Sequence, residues 1–206
     1  MNRTPLIKIC GIGSLEDAIA AKNAGADAIG LVHYPKSPRH LDLDASTDII
    51  KHLPTHIEPI GVFVDHDPKK ISMFTTRWVQ LHGNETSEDV AQLRAHTEKR
   101  IIRGFPFSEE SCRTWDNHRD VDVLLLDGHS AGSGEVFDHS MLADLIPTLQ
   151  TPVIIAGGLD PDNVGDLLQK VQPFGVDVSS GVEHTRGKKD HGRIQAFCDA
   201  VRSSTS

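Results

Sequence analysis

The sequence lacks several features that would place it in a specialised class of protein. None of its apolar runs approaches the roughly 18 residues that span a membrane, which argues against a membrane partner. It contains 21 lysines and arginines against 29 aspartates and glutamates, giving a formal net charge of −8 without a basic run or stripe. A nucleic-acid partner is therefore not expected, and any anionic ligand must be held by local positive features of the chain.

Cysteine is also scarce, with only Cys10, Cys112 and Cys198 in the whole chain. An odd number of widely spaced cysteines without a Cys-x-x-Cys pair favours reduced thiols over disulfides or a zinc site. The 12 histidines show no metal-binding spacing such as His-Glu-x-x-His, so no metal is expected. Met1 to Pro5 lead directly into an apolar run, so we expect no signal peptide and a cytoplasmic location.

The sequence does contain a regular alternation of short apolar runs and longer mixed segments. Eight runs are predicted to be strands: 7–10, 28–32, 58–64, 78–81, 100–105, 121–127, 153–156 and 175–178. Several are apolar nearly throughout, which is typical of parallel strands that are buried on both faces. The helices are predicted at 14–25, 45–52, 68–74, 87–96, 108–115, 140–149, 161–171 and 190–202, of which 108–115 has the weakest pattern.

Eight strand–helix repeats in 206 residues predict one α/β domain over residues 1–206, a (β/α)8 TIM barrel. A doubly wound open sheet is the alternative architecture. In a barrel, chemistry takes place at the C-terminal ends of the strands, and phosphate is often bound after strands 7 and 8. Polar, reactive and glycine residues do collect at the predicted strand ends, whereas the runs before them are apolar.

The ends of strands 7 and 8 are typical of a phosphate site. Gly157-Gly158 lets the backbone approach a ligand without a Cβ atom in the way. Asp160-Pro161 predicts a helix N-cap followed by a proline at the first helical position, and the Ser179-Ser180-Gly181 stretch offers a second cradle. The alternative is that these glycines only make tight turns, but two successive sites at this place favour a phosphorylated substrate.

Four further residues at strand ends each have a functional and an ordinary interpretation. Cys10 is either a reactive thiol or a buried small side chain. Asp127 is either a functional acid or the cap of a loop. Arg39 is either a fork for a carboxylate or a solvated surface charge. His82 is either a ligand contact or a hydrogen-bonded loop residue.

Motifs along the whole chain form an ordered set that resembles the phosphoribosylanthranilate isomerase family. They are KICG (8–11), ADAIG (26–30), YPKSPR (34–39), GVFV (61–64), QLHG (80–83), LLD (125–127), GSG (132–134), FD (137–138), AGGL (156–159), DVSSGVE (177–183) and GKKD (187–190). Single motifs such as Gly-Gly-Leu are shared by several phosphate-binding barrels. The ordered set covers all eight predicted strands and is specific.

The resemblance implies an Amadori rearrangement in tryptophan biosynthesis. N-(5-phosphoribosyl)anthranilate becomes 1-(2-carboxyphenylamino)-1-deoxyribulose 5-phosphate by general acid–base catalysis. By the family pattern Cys10 is the base and Asp127 is the acid. The residues assigned to substrate binding are Arg39, His82, Gly157, Gly158, Ser180 and Gly181, with Arg39 on the anthranilate carboxylate. The resemblance implies no metal or organic cofactor, a small phosphosugar as the partner, and a monomer or homodimer.

The sequence departs from the family pattern at a few loop positions. Gly13 stands where threonine is usual, His33 where phenylalanine is usual, and His139 where an aromatic residue often follows Phe137-Asp138. The usual proline near Thr185 is missing. These departures lie nearer the loops than the proposed acid and base.

Other functions predict different residues. Indole-glycerol-phosphate synthase needs further catalytic lysine and glutamate residues and a longer N-terminus. Sugar-phosphate epimerases need paired aspartates and histidines that hold a metal. A non-catalytic phosphometabolite-binding barrel would keep the glycines but would need neither Cys10 nor Asp127.

Lys8 lies two residues before Cys10 and faces the same side of its strand. If Cys10 reaches the mouth of the barrel, Lys8 lies about 7 Å deeper. A buried ammonium group needs a partner, and strand 8 neighbours strand 1 in a closed barrel, so we predict an ion pair with Asp177. The positive charge below Cys10 is then expected to favour the thiolate.

Overall fold

Eight parallel strands form a closed barrel in chain order, with the first strand hydrogen-bonded to the last. This computed structural model describes residues 4–128 and 139–204. The strands are β1 (Leu6–Cys10), β2 (Ala28–His33), β3 (Glu58–Phe63), β4 (Trp78–Leu81), β5 (Arg100–Pro106), β6 (Val123–Asp127), β7 (Val153–Ala156) and β8 (Gly175–Val178). The predicted barrel is confirmed, and the open sheet is excluded.

Helices surround the barrel and connect its strands. They are α1 (Leu15–Ala24), α2 (Leu43–His52), α3 (Pro68–Met73), α4 (Ser87–His96), α5 (Glu109–Trp115), α6 (His139–Leu145), α7 (Val164–Lys170) and α8 (His191–Ser203). A hairpin of β9 (Glu183–Thr185) and β10 (Lys188–Lys189) follows β8 and was not predicted. Short 3₁₀ helices occur at Ile146–Thr148 and Ser180–Val182. No described helix is long and apolar enough to cross a membrane.

Side-chain caps explain where several helices begin. The hydroxyl of Ser14 accepts a hydrogen bond of 3.1 Å from the amide of Asp17 at the start of α1. Thr86 and Asp89 form a reciprocal capping box at α4. The weakly patterned segment at 108–115 is a helix because Ser108 caps it, and because its Cys112 and Trp115 are buried.

The start of α7 differs from the prediction. The helix begins at Val164 and not at Pro161, which lies in a turn. The Asp160 carboxylate stabilises this turn and does not cap the helix, since it accepts hydrogen bonds from the amides of Asp162 and Asn163, at 2.9 and 3.0 Å. This turn places the helix one turn further from the barrel mouth than the proline signal indicated.

Alternation along each strand divides the core into two parts. Outward residues such as Ile9 and Leu31 pack under the helices in one large cluster. Inward residues fill the barrel, and most of those at its bottom and middle are apolar, among them Ile60, Leu125 and Ile154. The exceptions inside the barrel are polar, and they lie towards one end of it. That end is where the strands terminate and the site is built.

Candidate active site

A cavity of about 280 Å³ opens at the C-terminal ends of the strands. Seven of the eight predicted site residues line it: Cys10, Arg39, His82, Asp127, Gly157, Gly158 and Ser180. Gly181, the residue after Ser180 in the sequence, is not among the lining residues. The barrel therefore brings residues from six strand ends and their loops around one space, although they lie up to 170 positions apart in the chain.

Cys10 lies in a buried, charged environment at the end of β1. Its side chain packs with Val32 and Val62. One layer below, the ammonium group of Lys8 lies 2.9 Å from Asp177 Oδ1, and Lys8 is fully buried. Lys8 and Asp177 are register partners across the β1–β8 pairing. The predicted ion pair is confirmed.

The electrostatic effect of this pair on the thiol differs from the prediction. Burial raises the pKa of the Cys10 thiol above its ordinary value, and the Lys8 and Lys189 charges offset only part of that rise while Asp177 adds to it. Burial also acts to lower the pKa of Lys8, but Asp177 and Cys10 outweigh it and hold that pKa above its ordinary value. Lys8 acts in the expected direction, but the expected net preference for the thiolate is wrong, because Cys10 is almost out of reach of water.

Replacing Lys8 by methionine is expected to lower the free energy of unfolding by about 3–5 kcal/mol, because Asp177 is left as an unpaired buried charge. Denaturant unfolding measures this change. Lys51→Met, on the exposed surface of α2, is the control and should change stability little. If Lys8→Met were as stable as the control, the ion pair would contribute nothing that methionine cannot replace.

Asp127 lines the same cavity from the end of β6, three strands away from β1 around the barrel. Its Oδ2 atom lies 3.3 Å from Nε2 of His82, and both side chains are about three-tenths exposed or less. The end of β4 therefore contacts the end of β6 across the intervening β5. His82 is hydrogen-bonded, as one of its two interpretations predicted, and it also lines the cavity. Its contact with a ligand stays a prediction.

The turn after β7 carries two glycines at the rim. Gly157 has φ of +89° and Gly158 has φ of +68°, a region that favours glycine over other residues. The loop is held by Asn163, whose side-chain amide donates a 2.8 Å hydrogen bond to the carbonyl of Gly158. Ser180 begins the short 3₁₀ helix after β8 on the neighbouring strand. The two predicted phosphate cradles therefore lie side by side.

Arg39 is held by a carboxylate of the protein itself. Its Nε and Nη2 atoms donate to Glu183, at 2.6 and 2.9 Å. Lys189 donates to the same carboxylate at 3.0 Å and to the carbonyl of Ser179 at 2.9 Å. Burial acts to raise the pKa of Glu183, but hydrogen bonds from Arg39 and from the Gly187 amide hold it at about 2. The β9–β10 hairpin thereby fixes the loop that follows β2.

His33, at the end of β2, is part of an aromatic cluster. Its ring stacks on Phe63 with centroids 4.9 Å apart and meets the edge of Phe74 at 4.5 Å. The residue is buried, and its Nε2 atom has no hydrogen-bond partner among the described residues. Burial, with a smaller contribution from His40, lowers the pKa of His33 from 6.5 to about 4.

This shift predicts that the fold loses stability in acid, and that phenylalanine at position 33 would remove that part of the loss. As the pH falls from about 6.5 to about 4, His33 is protonated in the unfolded chain but stays neutral in the folded chain, where its pKa is lower. Stability is therefore intact above this window and falls within it, by about 3 kcal/mol in total. In His33→Phe this part of the loss should be absent, as measured by denaturant unfolding at several pH values. His96→Gln, exposed on α4, should keep it.

Three polar residues of the site were not identified from the sequence. Gln80 lies on β4 and lines the cavity. It is two residues before His82, so the alternation of side chains along a strand predicts that it faces the same side. Glu183 was noted only as part of a motif, and Lys189 was placed before a helix. Their hairpin has a two-residue loop ending in Gly187, a turn signal that was present in the sequence. Within residues 4–128 and 139–204 no group of three His, Cys, Asp or Glu side chains could hold a metal ion.

Part of the predicted pattern lies outside the described residues. The motifs at 132–134 and 137–138 follow β6 there, and the side chain of His139 is likewise not described. Gly13 precedes α1 and is exposed.

Comparisons with known proteins give one consistent result. The N-(5′-phosphoribosyl)anthranilate isomerase family model matches residues 7–200. A protein of that name from Pseudomonas aeruginosa is 42% identical over 205 residues, which is 96% of this chain and 95% of the relative. A phosphoribosylanthranilate isomerase crystal structure, solved with reduced 1-(o-carboxyphenylamino)-1-deoxyribulose 5-phosphate, is 36% identical with a TM-score of 0.84, over 97% of this chain and 99% of that one. Monomers generated from the dimeric isomerase of Thermotoga maritima are 35% identical with a TM-score of 0.83, over the same shares.

Proposed function

The chain belongs to the N-(5′-phosphoribosyl)anthranilate isomerase family, and from this membership we infer that it catalyses the Amadori rearrangement of N-(5′-phosphoribosyl)anthranilate in tryptophan biosynthesis. It is an isomerase with a (β/α)8 barrel. The observation that best supports the assignment from this chain's own residues is the cavity itself. A thiol and a carboxylate line it from two strands that are not neighbours, beside a glycine turn.

We propose Asp127 as the acid that opens the sugar ring. The bond between C1 and the ring oxygen breaks, its electron pair goes to the ring oxygen, and Asp127 gives that oxygen a proton. The lone pair of the anilinic nitrogen forms the C1=N bond of a Schiff base. A carboxyl group that is partly shielded from water and held by His82 has the reach and orientation for this step.

We propose Cys10 as the base that then takes the proton from C2. Loss of that proton gives an enolamine, which becomes the ketone when C1 is protonated and the C2 hydroxyl loses its proton. The thiol and the carboxylate line the cavity from β1 and β6, which are not neighbours, so the sugar can lie between base and acid. A thiol whose pKa is raised gives a strongly basic thiolate once ionised.

The remaining proposed contacts hold the two ends of the substrate, its phosphate and its anthranilate carboxylate. We propose that the phosphate lies against Gly157, Gly158, Ser180 and Gly181, where backbone amides can surround an anion. Arg39 then receives the anthranilate carboxylate. Two of its nitrogens are engaged by Glu183, and Nη1 has no hydrogen bond among the described residues, so it is available to a ligand. The rearrangement opens the ring and moves protons within one molecule, without net oxidation or reduction, and so requires no cofactor.

A coupled assay tests this function. The purified protein is mixed with anthranilate, phosphoribosyl pyrophosphate and the transferase that joins them, and the fluorescence of the anthranilate adduct is followed. The protein should accelerate its loss over the spontaneous rate. Loss at the spontaneous rate would contradict the assignment.

We further propose a single domain over residues 1–206, acting in the cytoplasm as a monomer or a homodimer. The run of elements from Leu6 to Ser203 supports one domain. The dimeric relative from Thermotoga maritima supports the homodimer as one of the two states. Sedimentation equilibrium distinguishes the two.

A further inference from the structure

The Glu183 carboxylate accepts four hydrogen bonds, two of them from Arg39. Its Oε1 atom accepts from Nε of Arg39 at 2.6 Å and from Nζ of Lys189 at 3.0 Å. Its Oε2 atom accepts from Nη2 of Arg39 and from the backbone amide of Gly187, both at 2.9 Å. The Glu183 side chain is only 4% exposed, so water competes little for these bonds. The proposed mechanism uses Arg39 and gives Glu183 no part.

Arg39 is packed between the β9–β10 hairpin and the end of β1. Gly187 has φ of +83°, and a Cβ atom there would collide with the carbonyl of Pro38, so the hairpin lies directly against the residue before Arg39. On the other side, a Cβ atom at Gly11 would collide with Cδ of Arg39. Gly11 follows Cys10 in the chain, so the stem of Arg39 lies beside the end of the strand that carries the proposed base. The Arg39 side chain also lines the cavity.

The charges around Glu183 leave Arg39 attractive to an anion. A carboxylate paired with Arg39 alone would cancel the charge of the guanidinium group. Lys189, whose side chain is fully buried, forms a second ion pair with the same carboxylate at 3.0 Å, so the three groups keep one net positive charge. Arg39 lines the cavity and Lys189 does not. The positive charge therefore faces the cavity through Arg39, in a chain whose formal net charge is −8.

This place for Arg39 suits the shape of the proposed substrate. The carboxylate of the anthranilate group is ortho to the nitrogen that bears the sugar, so only a few bonds separate it from C2. A guanidinium group beside Gly11 can therefore hold the carboxylate while the thiol of Cys10 reaches C2. A free arginine side chain would populate many rotamers, and ordering it on binding would weaken affinity. The two hydrogen bonds to Glu183 fix one arrangement before the substrate arrives.

We propose that Glu183 is a positioning residue that holds Arg39 in the arrangement that receives the anthranilate carboxylate, while Lys189 balances the charge of Glu183. This inference rests on the proposed function, in which Arg39 binds that carboxylate. Glu183 acts through Arg39 and not on the substrate directly. It thereby determines how strongly the enzyme distinguishes a substrate that carries the carboxylate from one that lacks it.

The binding of two inhibitors tests this role without an activity measurement. One is reduced 1-(o-carboxyphenylamino)-1-deoxyribulose 5-phosphate, the compound in the crystal structure of a relative. The other is the same compound made from aniline, which lacks the carboxylate. Isothermal titration calorimetry gives both dissociation constants and their ratio. In the wild-type protein the carboxylate should tighten binding by about 10–100-fold, the range for hydrogen bonds between charged groups.

Two variants at position 183 change the hold on Arg39. Glu183→Gln keeps the size of the side chain but replaces one acceptor by an NH₂ group that faces another donor. The ratio of dissociation constants should fall by about 3–10-fold, the cost of ordering one long side chain, while the aniline compound binds nearly as before. Glu183→Asp keeps the charge beside Lys189 but is too short to reach all four donors, and the ratio should fall here also. Glu110→Gln, exposed on α5, is the matched control and should keep the wild-type ratio.

A double variant shows whether Glu183 acts through Arg39. Arg39→Met should lower the ratio of dissociation constants to about 1, because the group that binds the carboxylate is gone. Adding Glu183→Gln to Arg39→Met should then leave the ratio unchanged, and a further change would overturn the proposal. In the coupled assay Glu183→Gln should raise KM with a much smaller change in kcat, since the acid and the base stay in place.

The outcomes separate this role from the function on which it rests. Equal binding of both inhibitors by the wild-type protein would contradict the proposed contact between Arg39 and the carboxylate, and the role of Glu183 with it. If the wild-type protein discriminates and both Glu183 variants keep its ratio, the positioning role alone is overturned. Equal weakening of both inhibitors in the variants would show that Glu183 supports only the fold, and it would overturn the proposal as well.

Discussion

Asp127→Asn is expected to lower kcat for the isomerisation by about 10²–10⁴-fold, the range that a positioned general acid contributes. Asparagine keeps the size of the side chain and can accept the hydrogen bond from His82, but it has no proton to give to the ring oxygen. Substrate binding should change far less, so the loss should fall on kcat. The coupled fluorescence assay at saturating substrate measures it.

The matched control for this substitution is Asp162→Asn, which changes the same atoms on the exposed turn before α7. It should retain the wild-type kcat. A fully active Asp127→Asn would remove Asp127 from the role of acid. An equal loss in both variants would point to the fold and not to the chemistry.

Cys10→Ser is expected to reduce kcat by a similar factor, about 10²–10⁴. A serine hydroxyl is a far weaker acid than a thiol, so almost none of it ionises to give a base. Because burial raises the pKa of the Cys10 thiol, the wild-type rate should also increase with pH from neutral into the mildly alkaline range. That increase should be missing from Cys10→Ser.

Cys112→Ser is the control for the second substitution. Cys112 is fully buried on α5, and burial raises the pKa of its thiol to about 11, yet it does not line the cavity. Its replacement should lower stability but leave kcat and the pH dependence unchanged. If Cys10→Ser turned over at the wild-type rate, the base would have to be another group.

The barrel was predictable because its signals are local and repeated. Strands that are buried on both faces give apolar runs in the sequence, so seven of the eight predicted strands agree with the structure within a residue at each end. The largest error at a strand lies at β6, which begins at Val123 and not at Val121. At α7 a proline signal was overridden, because the Asp160 carboxylate found partners in a turn.

The site was predictable only in part, since its geometry depends on contacts between distant strands. Alternation along two strands was sufficient to pair Lys8 with Asp177. The direction of the pKa shift of the Cys10 thiol could not be predicted in the same way, because it depends on how completely the thiol is buried. The contact between Arg39 and Glu183 depends on a hairpin whose two strands are too short to give a pattern.

The pairing of β1 with β8 has a consequence for the order of folding. Lys8 and Asp177 are 169 positions apart, so the first strand to be synthesised completes its hydrogen bonds only when the last one arrives. Until then Lys8 remains in water and Cys10 is an ordinary accessible thiol. A nascent chain with only seven strands therefore does not yet hold Cys10, the proposed base, in its final environment. The active site is complete only when β8 pairs with β1 and closes the barrel.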